Sequence, residues 1–92
     1  MKKICGIYKI TNKITSEAYI GQSVDIYDRW TKHKAPSHQK YHLQYALDKY
    51  GVDNFTFEII EECLPQNLDE RERYWIDFYD TYKHGYNETL GG

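Results

Sequence analysis

Glu72 is the residue whose place in the sequence points most directly to chemistry. Around it, apolar and aromatic residues recur at helical spacing, at Leu68, Trp75, Ile76 and Tyr79. At about 100° per residue, Glu72 falls in the middle of this stripe. A carboxylate on a core-facing stripe is costly unless it is paired or binds a metal, and Mg²⁺ typically uses one or two carboxylates and retains several waters. The pattern leaves three interpretations open: a metal ligand, a structural ion pair, and a stripe that reaches the edge of the protein.

Two tripeptides, Gly6-Ile7-Tyr8 and Tyr19-Ile20-Gly21, read in opposite order on either side of a predicted turn. An antiparallel hairpin in which paired residue numbers sum to 27 would set the two tyrosines opposite each other, and likewise the two glycines. Both phenols would then share one face, since side chains alternate along a strand. Glycine inside a strand often marks a close approach to the backbone. We expect Tyr8 and Tyr19 to form a pocket wall and Gly6 and Gly21 to leave clearance for substrate; the alternative is an aromatic pair that only stabilises the sheet.

Arg29 and His33 are four residues apart and share one face of a predicted helix. An arginine binds a phosphate through two parallel hydrogen bonds, and a histidine transfers protons near neutral pH. A solvated basic face, with lysines as neighbours, is the alternative. His38 and His42 are also four apart, but without an H-E-x-x-H pattern or a third ligand we do not expect a zinc site. Asn87 follows a Gly-Tyr pair and either contacts a phosphate or holds a turn.

The elements that must position these side chains follow from periodicity and from turn and cap residues. Ser23 or Asp25 is expected to cap the first helix, Gly51 to end the second, and Asn67 with Glu70 to form a pattern akin to a capping box at the third. The predicted order is strand, strand, helix, helix, strand, helix, over residues 3–12, 18–21, 25–34, 37–50, 55–61 and 67–81, with an irregular tail from 85. This order predicts an α+β fold, a three-stranded antiparallel sheet flanked by three helices.

Composition and charge limit the class of protein. The 92 residues are enough for one domain, predicted to span 1–92. Residues 1–50 carry nine Lys/Arg against four Asp/Glu, a net charge of +5, whereas residues 51–92 carry three against ten, a net charge of −7. A basic half beside an acidic half is typical of one face for a polyanion, although chance asymmetry gives the same count. With two cysteines that lack metal or disulfide-framework spacing and no long apolar run, we expect a cytoplasmic protein with reduced thiols and no membrane association.

Together these residues resemble the GIY-YIG nuclease superfamily, and within it the catalytic domains of phage and intron-encoded homing endonucleases. The likeness covers about residues 4–91. The two tripeptides are joined by Arg29 ten residues after Tyr19, by the segment from Glu70 to Ile76, which is similar to the family's E-x-x-W-I, and by Gly85-Tyr86-Asn87.

The resemblance implies a metal-dependent endonuclease that hydrolyses DNA phosphodiester bonds. Tyr8 would accept the proton of the attacking water, directly or through a relay assisted by Tyr19 or His33, and Arg29 would stabilise the phosphate. Glu72 would hold one divalent metal ion, Mg²⁺ or Mn²⁺. The residues implied in substrate binding are His38 and Asn87, which would contact or position the DNA backbone.

The resemblance also bears on partners and leaves other functions open. Homing relatives usually continue into a separate DNA-reading domain, so we expect either an isolated catalytic fragment that lacks a C-terminal DNA-binding domain or a freestanding nuclease of weak specificity. The alternatives are a noncatalytic module that binds DNA or a partner protein on the same fold, and a repair or restriction nuclease. DNA is the expected partner for each of these kinds of nuclease.

Overall fold

The computed structural model describes residues 2–35 and 41–91. The elements follow in the order β1 (Gly6–Asn12), β2 (Ala18–Ser23), α1 (Ile26–Lys34), α2 (His42–Tyr50), β3 (Phe55–Glu62), α3 (Leu68–Tyr79) and α4 (Thr81–His84), with 3-10 turns at Val52–Asn54 and Pro65–Asn67. The predicted α+β class and the β-β-α-α-β-α order of the longer elements are confirmed. No helix in the described part of the chain is long and apolar enough to cross a membrane.

The hairpin of β1 and β2 is antiparallel, but its register differs from the predicted one. Tyr8 pairs with Gly21 and Ile10 pairs with Tyr19, so paired residue numbers sum to 29. The predicted register would have centred the turn one residue earlier, between Lys13 and Ile14. Instead, the Asn12 side chain accepts hydrogen bonds from the backbone N–H groups of Ile14 and Thr15 and closes a four-residue loop. Because the shift is two residues, the faces are unchanged, and the two tyrosines still lie on the same side.

β1 is the central strand of the sheet, whose order is β2-β1-β3. β3 pairs with β1 in the antiparallel direction, and the ladder is irregular between Ile7 and Tyr8. Because β1 has neighbours on both edges, five of its seven residues are buried. Most side chains of β1 are therefore enclosed by other parts of the protein, on both faces of the sheet.

The two faces of the sheet are covered by different helices. On one face, Tyr8 and Ile10 belong to a buried cluster with α1 and α2, which includes Ile26 and Leu47. On the other face, a second cluster joins the sheet to α3 through Ile7, Ile20, Leu68 and Ile76. Cys5 and Cys63 are free thiols, half-buried at the border of this second cluster. The three-layer arrangement fixes α1 and α3 relative to the hairpin from opposite sides.

α1 begins and ends where its sequence predicted. The Asp25 side chain caps it by accepting a hydrogen bond from the Asp28 N–H. α2 ends at Gly51, whose φ of 87° lies in the left-handed region. α2 begins at His42, because Tyr41 before it is extended, so the predicted helix over 37–50 is too long at its start. Ser37 itself lies outside the described residues.

α3 carries the predicted apolar stripe and begins after Asn67 as predicted, but its capping contact and its C-terminal end differ from the prediction. Asn67 occupies the N-cap position without any side-chain capping bond, so the predicted capping pattern with Glu70 is wrong. The helix ends at Tyr79 because Asp80 adopts a left-handed conformation, and the short helix α4 follows. Residues 67–81 are therefore not one continuous helix.

Candidate active site

Tyr8 is fully buried at the middle of the central strand, and Gly21 makes the space for its ring. A Cβ atom added to Gly21 would lie 2.3 Å from the Tyr8 Cζ and 2.4 Å from its hydroxyl oxygen. A Cβ atom added to Gly6 would lie 2.0 Å from the Glu61 carbonyl oxygen in the neighbouring strand. The prediction that these two glycines leave clearance for substrate is wrong, because protein atoms already occupy the space beside each.

The Tyr8 hydroxyl is hydrogen-bonded to Nε2 of His33 at 2.8 Å. α1 brings this histidine to the sheet, one turn beyond Arg29. The Tyr19 ring completes an aromatic cluster, with its centroid 6.3 Å from that of Tyr8 and 5.7 Å from that of His33. Trp30 packs edge-on against Tyr8 at 6.1 Å. Two tyrosines, one from β1 and one from β2, therefore meet a histidine and an arginine from α1 at one place.

Burial controls the proton affinities in this cluster. It raises the pKa of Tyr8 well above its ordinary range; the neighbouring Tyr19 adds to the shift, and the charge and hydrogen bond of Arg29 oppose it. Burial and the charge of Glu72 raise the pKa of Tyr19. Burial and the Arg29 guanidinium lower the pKa of His33 to about 4. At neutral pH the two phenols are therefore protonated and the imidazole is uncharged.

A cavity of about 600 Å³ opens beside the cluster. Tyr19, Arg29 and His33 line it, whereas Tyr8 does not. Arg29 is exposed, so its guanidinium is accessible to a ligand. The residues that complete the wall come from α1, α2 and the segment after α4, and include Lys32, Gln44, Asn87 and Glu88. The cavity is thus basic where α1 lines it, and Tyr8 lies one layer behind its surface.

Glu72 reaches the site from α3 and does not line the cavity. Its carboxylate is half-buried and accepts a hydrogen bond from the Gln22 side-chain amide at 3.1 Å. The charge of Glu72 nevertheless raises the pKa of both Tyr8 and Tyr19, so it lies within electrostatic reach of the cluster. The described residues contain no group of three or more His, Cys, Asp or Glu side chains able to hold a metal ion.

Asn87 fastens the chain after α4 to the free edge of β2. Its side-chain oxygen accepts from the Ile20 N–H at 2.8 Å, and its side-chain nitrogen donates to the Ile20 carbonyl at 2.9 Å. The preceding Tyr86 N–H donates to the Ala18 carbonyl, and Gly85 lies so close to that oxygen that a Cβ would be 2.4 Å away. These contacts give Asn87 a positioning role, and a direct contact with substrate stays a prediction.

One predicted substrate-binding residue is not described by the structure, and two polar residues that the sequence analysis did not single out are. His38 lies outside the described residues. Sequence reasoning missed Gln22, whose amide joins two α3 carboxylates, and Asn12, fully buried and hydrogen-bonded to the Tyr86 hydroxyl at 3.1 Å. A polar residue directly after the second tripeptide was a visible signal for Gln22; none marked the partner of Asn12, which is 74 residues away.

Comparison with known proteins agrees with this geometry. Residues 4–87 match the GIY-YIG catalytic domain family. Intron-associated endonuclease 1 of enterobacteria phage T4 is 34% identical over 89 residues, covering 89% of this chain and 36% of the relative. Probable intron-encoded endonuclease 1 of Neurospora crassa is 39% identical over 82 residues, covering 89% of this chain and 27% of the relative. The chain thus spans about a third of the length of these curated relatives.

Two solved structures share the fold. The catalytic domain of the homing endonuclease I-TevI superposes with a TM-score of 0.80 at 30% identity, over 92% of this chain and 98% of that one. A glutamate-to-alanine mutant of the same catalytic domain superposes with a TM-score of 0.84 at 27% identity, over 97% of both chains. The fold and the family match define a GIY-YIG catalytic domain, and the chain belongs to that family. Its homologues are intron-associated endonucleases, which confirms the predicted resemblance.

Proposed function

We propose that this domain hydrolyses DNA phosphodiester bonds with the aid of a divalent metal ion, and that the Tyr8–His33 pair accepts the proton of the attacking water. The observation that carries the proposal is the 2.8 Å hydrogen bond between the Tyr8 hydroxyl and an uncharged His33. An isolated phenol with a raised pKa is a weak base at neutral pH. A phenol that passes its own proton to imidazole while receiving another does not have to become a free phenolate.

Burial of Tyr8 favours the relay over direct contact. The Tyr8 side chain has 0% exposure, whereas His33 and Tyr19 line the cavity. A water molecule in the cavity meets those two side chains first. A bound phosphate brings negative charge next to His33 and raises its pKa, so the imidazole becomes a better proton acceptor when substrate is present than in the free domain.

Arg29 is suited to bind the phosphate that is attacked. It is exposed in the cavity wall, it shares one helix face with His33, and Lys32 lies beside it. A planar guanidinium forms two parallel hydrogen bonds to a phosphate. Charge that develops on the phosphate oxygens would be stabilised by these donors in the transition state. Arg29 also acts on Tyr8, because its charge and hydrogen bond oppose the rise of the Tyr8 pKa.

The donor set at Glu72 fits a hard divalent cation. Its carboxylate and that of Asp69 both accept from the Gln22 amide, so two oxygen-bearing groups converge at the edge of β2. Mg²⁺ and Mn²⁺ bind through one or two carboxylates with waters or phosphate oxygens as the other ligands. We propose Glu72 as the protein ligand. When bound, the cation supplies Lewis-acid stabilisation of phosphate charge.

DNA is the proposed substrate because the curated relatives are, by name, an intron-associated endonuclease and a probable intron-encoded endonuclease, and because the basic side chains of Arg29 and Lys32 line the cavity. A longer, homing-type parent protein with a separate DNA-reading part is proposed from the length of those relatives.

Nicking and linearisation of supercoiled plasmid in Mg²⁺ tests the proposal. We expect Tyr8→Phe and Glu72→Ala each to remove most cleavage while circular dichroism shows an intact fold. Tyr45→Phe is the matched control, since that tyrosine is 60% exposed on α2. Wild-type cleavage by the Glu72 variant would refute the metal assignment, and wild-type cleavage by the Tyr8 variant would refute the relay. DNA binding without any chelator-sensitive cleavage would favour a noncatalytic module.

A further inference from the structure

Cys5 and Cys63 lie directly opposite each other at one end of the sheet. Gly6 pairs with Glu62 in the antiparallel ladder of β1 and β3, and the next residue outward on each strand is a cysteine. The Cys63 N–H donates to the Cys5 carbonyl at 3.0 Å, which continues the pairing by one step. Opposite residues in such a ladder direct their side chains to the same face, and both thiols pack against the cluster between the sheet and α3.

This placement suits a disulfide between the two residues. In a hydrogen-bonded antiparallel pair, opposite Cα atoms are about 5.5 Å apart, within the roughly 4.4–6.8 Å that a disulfide bridges. The Cβ atoms of opposite residues are about 4.5–5.5 Å apart, whereas a disulfide prefers about 3.5–4.5 Å, so bond formation draws the strand ends together. Cys5 precedes β1 and Cys63 follows β3, so the adjustment falls outside the paired strands. A disulfide under such strain is more easily reduced than a relaxed one.

The two thiols also affect each other electrostatically and are accessible. Burial raises the pKa of Cys63, and the neighbouring Cys5 and Glu61 raise it further, against the opposing effect of Arg71. Both cysteines are free and half-buried, so a small oxidant can reach them. Structural cysteines that are inert are buried in apolar surroundings, and these two are only partly so.

From this geometry we propose that Cys5 and Cys63 are a site of reversible oxidation, at which a low-molecular-weight disulfide produces an intramolecular disulfide. One cysteine thiolate attacks the oxidant, breaks its S–S bond and forms a mixed disulfide, which releases the first small thiol. The other cysteine thiolate attacks the protein sulfur of the mixed disulfide and releases the second small thiol. The two cysteines are oxidised, the oxidant is reduced, and the two cysteine protons end on the released thiols.

The disulfide would close a ring that carries most of the candidate site. Residues 5–63 span β1, β2, α1, α2 and β3, and therefore include the Tyr8–His33 pair. A cross-link restricts the unfolded chain, and the stabilisation grows with the length of the ring. Tyr8 belongs to the cluster on the other face of the sheet, so the cross-link stabilises the site without contacting its phenol. The inference goes beyond the proposed function, since it concerns the stability of the domain under oxidising conditions.

The test is oxidation of the full chain by oxidised glutathione, followed by measurement of the intact mass. Wild type is compared with Cys63→Ser and with the double variant Cys63→Ser Leu64→Cys, which keeps two thiols but moves one to a position that is 58% exposed. We expect wild type to lose two hydrogens and retain no glutathione, because its second thiol displaces the adduct formed on the first. Cys63→Ser should retain one glutathione, and the double variant should retain one on each cysteine.

Thermal unfolding gives a second readout. Oxidised wild type should unfold roughly 5–20 °C above reduced wild type, and dithiothreitol should reverse both the mass change and the Tm shift. Circular dichroism checks that each variant is folded, and Cys63→Ala replaces Cys63→Ser if the serine hydroxyl is not tolerated.

Wild type that keeps its glutathione adducts, or that forms only disulfide-linked dimers, would overturn the inference. So would an intramolecular disulfide that forms equally well in the double variant, because the pairing of opposite residues would then have no effect. An oxidised wild type with an unchanged Tm would overturn the stabilising role. None of these readouts involves DNA cleavage, so their failure is separate from a failure of the proposed endonuclease activity.

Discussion

Replacing Gly21 by Ala should damage both the stability and the activity of the domain, although Gly21 does not line the cavity. The new Cβ would lie 2.3, 2.4 and 2.7 Å from three atoms of the Tyr8 phenol. Tyr8 is fully buried, so its ring cannot move away without disturbing its neighbours. Overfilling a packed core costs about 1–3 kcal/mol, and loss of the hydrogen bond to His33 adds about 0.5–1.5 kcal/mol.

The expected total is a loss of about 2–4 kcal/mol in the free energy of unfolding. For a domain of this size, 1 kcal/mol corresponds to a Tm shift of about 4–8 °C, so the Tm should fall by roughly 10–30 °C. Plasmid cleavage below the lowered Tm should also fall, because the phenol no longer meets the imidazole.

Gly51→Ala is the matched control. Its Cβ would meet nothing closer than 3.9 Å, and the cost comes only from a φ of 87°. Strain in such a sparsely populated backbone region amounts to about 1–3 kcal/mol, with no effect on cleavage by the folded protein. A Gly21→Ala variant that unfolds at the wild-type Tm and cleaves at the wild-type rate would refute this account of the Tyr8 site.

Three further predictions test other parts of the structure. Because the pKa of His33 is about 4 in the folded chain and near 6.5 when exposed, the unfolded state binds the extra proton between these values. Stability should therefore fall as pH falls through that window, and less steeply in His33→Gln; equal slopes in thermal denaturation would contradict the assignment. Asn87→Ala should cost about 2–4 kcal/mol, since it leaves both backbone groups of a buried β2 residue without partners, whereas Asn67→Ala, which removes no capping bond, should leave the Tm unchanged. DNA binding by the domain should weaken as salt rises, and Arg29→Ala should reduce the slope of log K against log salt by about 1; the same reduction in Arg73→Ala would show that Arg29 makes no particular phosphate contact.

Residue types and spacing within each segment were sufficient to predict the strands and the longer helices. β-branched and aromatic runs bounded by turn residues predicted the three strands, and Asp25 and Gly51 marked helix ends at the correct positions. The apolar stripe of α3 could be recognised in the sequence because its residues recur at short helical spacing. Where the sequence prediction was wrong, one residue decided the local structure. The Asn12 side chain closes the hairpin loop, the extended Tyr41 precedes α2, and the left-handed Asp80 ends α3.

The candidate site was predicted as a set of residues but not as a geometry. The motifs named Tyr8, Tyr19, Arg29 and His33, and the fold brings these four together. Motif spacing could not show that Tyr8 is buried behind the cavity surface, because burial depends on α1 and α2 closing over the sheet. It also could not show that the space beside each glycine belongs to the protein itself.

The sequence by itself determined the family, the elements and the identity of the polar groups, since each depends on residue types at short, regular spacing. Only the tertiary structure decided what those groups do to one another. The hydrogen bond between Tyr8 and His33, the hydrogen bond from Gln22 to Glu72 and the contacts of Asn87 with Ile20 all join residues 25 to 67 positions apart. Such contacts are set by how whole layers pack, and a hydrogen bond or a charge acts through a few ångströms of space, whatever the distance along the chain.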